Sequence, residues 1–236
     1  MKQLLYKEMR LCLHPTVFLF LSFVAMLLIP NYWYLVPCFF SCQSIFYVFL
    51  SGRETNDVLF TATLPVAKRD VVRARVLTVA LIQLAMVVLM VPMLFLRRVL
   101  MADGNAAGLD ANFFLLAVAL VLFGLFNIVF LPAFYKTGRS AGKAFILSTI
   151  VFFAVMVLVE ACSIAAAVIT EQAATMPDSA WCAPFVRYQT LLGAFPDTTE
   201  AWTAQLVSLG CGALLYALLT ALACKSSIRR FEKVDL

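Results

Sequence analysis

An all-helical integral membrane protein with six spans is the fold class this sequence predicts, on three observations. Of its 236 residues 64% are hydrophobic and only 13% charged, against about 45–50% and about 25% in soluble domains. So few charges do not cover a water-facing surface at this length. The apolar residues come in runs close to the roughly 17–25 residues that a helix needs to cross a bilayer. Lys and Arg are sorted onto alternate connections: 15 of the 18 fall on one side, and only Arg97, Arg98 and Arg187 on the other.

The spans are placed at about Thr16–Ile29 (or on to Tyr34), Tyr34–Leu50, Val76–Leu96, Phe113–Phe134, Phe145–Ile169 and Trp202–Cys224. The backbone inside lipid must satisfy its own hydrogen bonds, so these runs are helices; they are too long and too uniformly apolar for barrel strands. Pro30-Asn31 turns the short first span into the second. The basic excess puts both termini in the cytoplasm, so the plasma or inner membrane is the expected location. Anionic lipid accounts for the net charge of +5, and no aromatic-interleaved basic patch asks for nucleic acid.

Ahead of the first span, Met1–Leu13 reads as an amphipathic helix on the cytoplasmic leaflet. Gln3, Lys7 and Arg10 share one sector. Leu4, Leu5, Met9 and Cys12 share the other, interrupted by Glu8. His14-Pro15 ends it. No cleavage pattern follows the first apolar run.

Seven cysteines show no paired spacing, and with a single His no zinc site is expected. They read as small buried hydrophobes, except Cys182, placed in an outer loop as a candidate exposed thiol. No metal and no cofactor is expected in this chain. Catalytic motifs are missing too. Gly138–Ala144 looks like a phosphate loop, but it is one residue short, has Ala where Ser or Thr would hold magnesium, and follows no strand. The chain is therefore not expected to be an enzyme.

Glu160 is the one ionisable residue inside a span, roughly 13–14 Å from the outer end at 1.5 Å per residue. At about 2.5–3.5 kcal/mol for an acid near a helix centre, it should face protein or a wet cavity. Two readings stand: a group on a substrate path or proton relay, or an inward acid that fixes packing. Gln83 and Asn127, the other candidates for a substrate path, suit interhelical hydrogen bonds better, as does Gln43. Pro92 supplies a kink or hinge. In the outer connection 170–201, Phe185, Tyr188, Leu192 and Phe195 form a helical stripe: a short outer helix before the sixth span, re-entrant or flat on the bilayer.

The most distinctive stretch is Ser51–Arg75, with eight charges between two apolar runs: Arg53, Glu54, Asp57, Lys68, Arg69, Asp70, Arg73 and Arg75. Pro65 breaks the segment Val58–Leu64. Lys68-Arg69-Asp70 opens a helix, with Asp70 favouring its amino-terminal dipole. Arg73 and Arg75 keep the first turns in water. A loop needing only charge would not carry Val58, Leu59, Phe60 and Leu64, which suit burial against lipid or a second protein.

This stretch resembles the loop of the membrane (permease) subunits of type-2 ATP-binding-cassette exporters, the small bacterial six-helix permeases. The matching residues are Glu54, Leu64-Pro65-Val66, Lys68-Arg69-Asp70 and Val71-Val72. Thr55-Asn56 stands where the family often has Ser-Gly, and the first outer turn is very short. The resemblance implies one permease domain over residues 1–236, dimeric with an identical or related chain. It implies a separate cytoplasmic ATPase, carrying the ATP and Mg, docked on a coupling helix between spans two and three. Val58, Leu59, Phe60 and Leu64 would fill a groove while Glu54, Arg69 and Arg73 fix the orientation by charge, with Asp57, Pro65, Lys68 and Asp70 as further residues of the coupling site. The cargo would be amphipathic: a peptide, lipid or drug. A vitamin importer's membrane subunit and a membrane sensor or assembly protein are the alternatives.

Overall fold

The computed structural model describes residues 2–12, 15–55, 66–101, 104–105, 107–137, 141–175 and 180–233. Every described element is helical, as lipid requires of the backbone. The amino-terminal helix α1 covers Lys2–Lys7 and continues through a wider turn over Glu8–Cys12. Next come α2 (Thr16–Ser22), which tightens into a 3-10 segment at Phe23–Leu28, and α3 (Val36–Glu54). The long helices are α4 (Lys68–Leu100), α5 (Phe113–Thr137) and α6 (Ala141–Thr175). The short α7 (Ala183–Tyr188) runs on through Gln189–Gly193, and α8 (Thr199–Phe231) completes the bundle.

Among the described residues, α4, α5, α6 and α8 are long and apolar enough to cross a membrane. The expected first span is short, Thr16–Leu28, and the second, α3, has 19 residues but carries Gln43, three serines, Arg53 and Glu54. The turn between them is the expected one: Asn31 takes φ 52°, a left-handed conformation that Asn tolerates better than branched residues. The helix expected at Lys68 begins there, behind an extended Ala67. All four long helices overrun their apolar segments, because their polar ends continue the same hydrogen-bond ladder.

Helix α5 is the centre of the bundle. Its most apolar stretch is two-thirds buried, against about a fifth for α6 and α8, so α6 and α8 turn most of their leucines and valines outward. Lipid tails are as apolar as Leu, so close packing rather than water exclusion must hold such helices together. The pairing of α5 with α8 uses two glycines for it. A Cβ on Gly212 would lie 2.8 Å from the Ala117 carbonyl oxygen, and one on Gly124 2.9 Å from Leu219. An aromatic column lines the other side of α5: Phe126, Phe130 and Phe134 share one face, and Phe49 of α3 meets Phe130 and Phe134 edge-on at 5.0 and 4.7 Å.

Three expectations need correction. Arg75 does not stand in water; it is 1% exposed, because Glu8 supplies a buried partner. Cys182 is buried rather than an exposed thiol, while Cys162 and Cys211 lie on the bundle surface rather than in its interior. On α1 the sector toward the bundle holds Leu4, Leu5 and Glu8, and Met9 is exposed. The acid that seemed to spoil an apolar face is the residue that anchors it.

Candidate functional site: the loop base and the buried polar groups

The two feet of the loop between α3 and α4 meet on one guanidinium. Arg75, two turns into α4, donates from Nε to Glu8 Oε2 at 3.1 Å and from a terminal nitrogen to Glu8 Oε1 at 3.2 Å. Glu8 is 2% exposed. The guanidinium lies 5.4 Å from the centre of the Phe49 ring. Gly52 makes room for it: a Cβ there would sit 3.3 Å from a guanidinium nitrogen. One side chain thus joins α1, the end of α3 and the start of α4. A planar fork suits this two-bond geometry, which an ammonium does not reproduce. Removing one member of such a buried pair strands a charge at a cost of about 3–5 kcal/mol.

Around this knot the candidate docking charges face outward. Glu54, Arg69 and Arg73 are exposed, and Lys68 and Asp70 are half-buried. Arg73 and Asp70 form a side-chain pair at 3.4 Å, about 0.3–0.5 kcal/mol for an exposed pair of this kind. Lys68 lies 5.9 Å from the Phe231 ring, and Arg230 donates to the Pro132 carbonyl at 2.9 Å, so the ends of α5 and α8 gather at the same end of the bundle. Asp57, Val58, Leu59, Phe60, Leu64 and Pro65 lie outside the described residues.

Gln83 and Asn127 are brought together in the bundle interior, each donating its amide to the other at 2.9 and 2.8 Å. Asn127 also donates to the Thr220 hydroxyl at 3.0 Å, and Tyr216 donates to Gln83 Oε1 at 3.0 Å. The four side chains lock α4, α5 and α8. Glu160 is not part of this set. It is 1% exposed and takes the Leu109 amide on Oε2 at 2.8 Å. Its Oε1 has no hydrogen-bond partner among the described residues, and any side chain on Gly108 would overlap the carboxylate.

The end of the bundle opposite the loop is held by amides. Asn105 donates to the Tyr32 and Leu109 carbonyls, tying the 104–112 segment to the first hairpin. Asn112 accepts from the Leu115 amide, capping α5, and donates to the Leu192 and Ala194 carbonyls. Gln205 donates to Leu191 and Ala194. The short helix α7 is therefore fixed to α5 and α8. Burial raises the Tyr188 hydroxyl against a hydrogen bond with Ser163, with Cys162 and Glu160 adding to the rise. Burial also pushes the Asp110 carboxyl above its ordinary range, against the Ala111 amide and the nearby Arg97 and Arg98.

A multi-pass helical membrane protein, with a charged loop rooted on a buried ion pair and no metal-binding cluster among its described residues, is the class these features define. The chain belongs to the ABC-2 family of transporter proteins, whose family model matches residues 3–187. No match was found among curated proteins or among solved structures. The matched region holds both members of the ion pair, the whole loop and Glu160; α8 lies beyond it. The protein is thus a membrane subunit of an ABC transporter, a family that works with a partner ATPase subunit.

Of the residues that matter here, Arg75 and Glu8 escaped sequence reasoning as a pair. The signal was present, an acid on the apolar face of α1 and a fourth Arg or Lys where three would keep a helix end in water, but 67 positions separate them.

Proposed function

We propose that this chain is the membrane-spanning subunit of an ATP-driven exporter with six spans and both termini in the cytoplasm of a bacterial cell. The observation that carries the reading is the family match across the Ser51–Arg75 loop, whose charged feet converge on Arg75. A separate cytoplasmic ATPase, holding ATP and Mg, docks on the loop as its coupling helix. Val58, Leu59, Phe60 and Leu64 enter its groove, and Pro65 turns the chain behind them. Glu54, Asp57, Lys68, Arg69, Asp70 and Arg73 orient it by charge. Two permease chains, identical or related, form the path in the plasma membrane.

The cargo is amphipathic: a peptide, a lipid or a drug. Its path passes the polar groups of the interior, with Glu160 toward the outer end and the Gln83–Asn127 pair deeper. Because those amides are satisfied by each other, passage requires them to part, a step driven by movement of α4. The Phe- and Leu-rich helix faces suit such a cargo and equally suit lipid, so the support comes from the polar groups.

The test is co-purification with a candidate ABC ATPase, sought first among the neighbouring genes. Phe60→Asp combined with Leu64→Asp places two charges in the proposed groove contact. ATPase recovery and permease-dependent ATP hydrolysis should both fall at least about tenfold, as for loss of a buried hot spot. Unchanged association and hydrolysis would remove the coupling reading.

A further inference from the structure

We infer that Glu8 and Arg75 are a positioning pair that makes the amino-terminal helix part of the coupling apparatus, so that α1 moves with the loop feet when the ATPase closes. The inference rests on the reading that the Ser51–Arg75 loop docks an ATPase. Three observations carry it. First, the pair is shielded: Arg75 and Glu8 are 1% and 2% exposed, so the attraction is not screened by solvent as a surface pair would be. Second, it is double-bonded, at 3.1 and 3.2 Å, which fixes orientation as well as distance. Third, it closes a triangle. The guanidinium rests on Phe49 and against Gly52 at the end of α3, is borne by α4, and is gripped from α1.

The loop leaves the bundle at Glu54 and re-enters at Lys68. A force on it reaches the membrane through its two feet, and both feet touch the same guanidinium. Glu8 is the one contact of that guanidinium that comes from neither foot among the contacts just described. Without the carboxylate, α3 and α4 could still shift together, but α1 would lose this buried ionic link to them. A helix serving only as a lipid anchor has no need of a buried acid; Leu4 and Leu5 would serve as well. An acid costly to bury is explained when it must follow one particular cation.

The experiment uses the full chain with its ATPase in nanodiscs of phosphatidylethanolamine and phosphatidylglycerol, scoring only monodisperse complexes. Glu8→Gln keeps the side-chain shape and removes the charge. Arg75→Lys keeps the charge and removes the fork. Each should leave ATPase co-purification within about twofold and reduce permease-stimulated hydrolysis about tenfold, a change within the range of one coupled pair. The exchanged chain, Glu8→Arg with Arg75→Glu, should regain at least about half of the lost stimulation, which a purely structural defect at either site would not do. Full stimulation in Glu8→Gln overturns the inference, as does an exchanged chain no better than the single variants. The docking reading fails separately, if Phe60→Asp with Leu64→Asp keeps the ATPase bound.

Discussion

Asp110 gives the residue scale a titratable probe. Its carboxyl is held above the ordinary range by burial, so the folded chain binds its proton more tightly than the unfolded chain. The stability this contributes is fully present below the ordinary value of about 3.9 and is lost as pH rises through the raised folded value. Asp110→Asn cannot lose it. The thermal midpoint of Asp110→Asn relative to the parent should therefore climb with pH across that window and level off above it. Parallel midpoint curves would show that Asp110 is not buried as described. Asn127 gives a second probe. Asn127→Leu deletes three hydrogen bonds and strands the Gln83 amide in the interior. At about 0.6 kcal/mol per interhelical bond, with a maximum of about 1.7, the loss should be about 1–3 kcal/mol in a detergent unfolding titration.

At the scale of elements, the α5–α8 contact depends on Gly212, whose Cβ would meet backbone on α5 rather than a side chain that can swing away. Gly212→Val should force the two helices apart and lower the thermal midpoint more than Gly210→Val, where a Cβ meets nothing within 4 Å. Equal midpoints would refute the close crossing. The helices themselves were legible in the sequence because hydropathy reports lipid directly: the start of α5 and the Pro30-Asn31 turn follow from it, the start of α4 from the Pro65 break and the charged run behind it. The outer stripe was legible in part, since the helical segment ends at Gly193 and leaves Phe195 beyond it. Burial within the bundle was less so. In lipid, outward and inward faces carry the same residue types, so Cys162 and Cys211 could not be told from buried cysteines. Cys182 is buried, which no local pattern announces. The Glu8–Arg75 pair needed the third dimension, since a charge beside a loop reads as solvated until its partner is placed.

For the whole molecule, the account joins three regions. A polar clamp of Gln83, Asn127, Tyr216 and Thr220 fastens α4 to the central helix and α8. An ion pair fastens the loop feet to α1, and a net of Asn and Gln amides fastens α7 at the opposite end. Within the proposed cycle, force enters at the loop, travels along α4, and reaches the outer end where Glu160 takes the Leu109 amide. Gly108→Val, which pushes on the Glu160 carboxylate, should then alter cargo release while leaving ATPase binding intact, read as efflux of a fluorescent amphipathic cation against co-purified ATPase. Efflux unaffected by Gly108→Val would detach Glu160 from the path.

The claim that an ATPase grips this loop is tested most directly by replacing Phe60 with the photo-cross-linker benzoylphenylalanine, which keeps an aromatic ring at that position. The account predicts an adduct with an ATPase bearing a phosphate loop, identified by mass spectrometry, and none when the same group replaces Asp197 at the other end of the bundle. No ATPase adduct at position 60, or an equal one at 197, would contradict it.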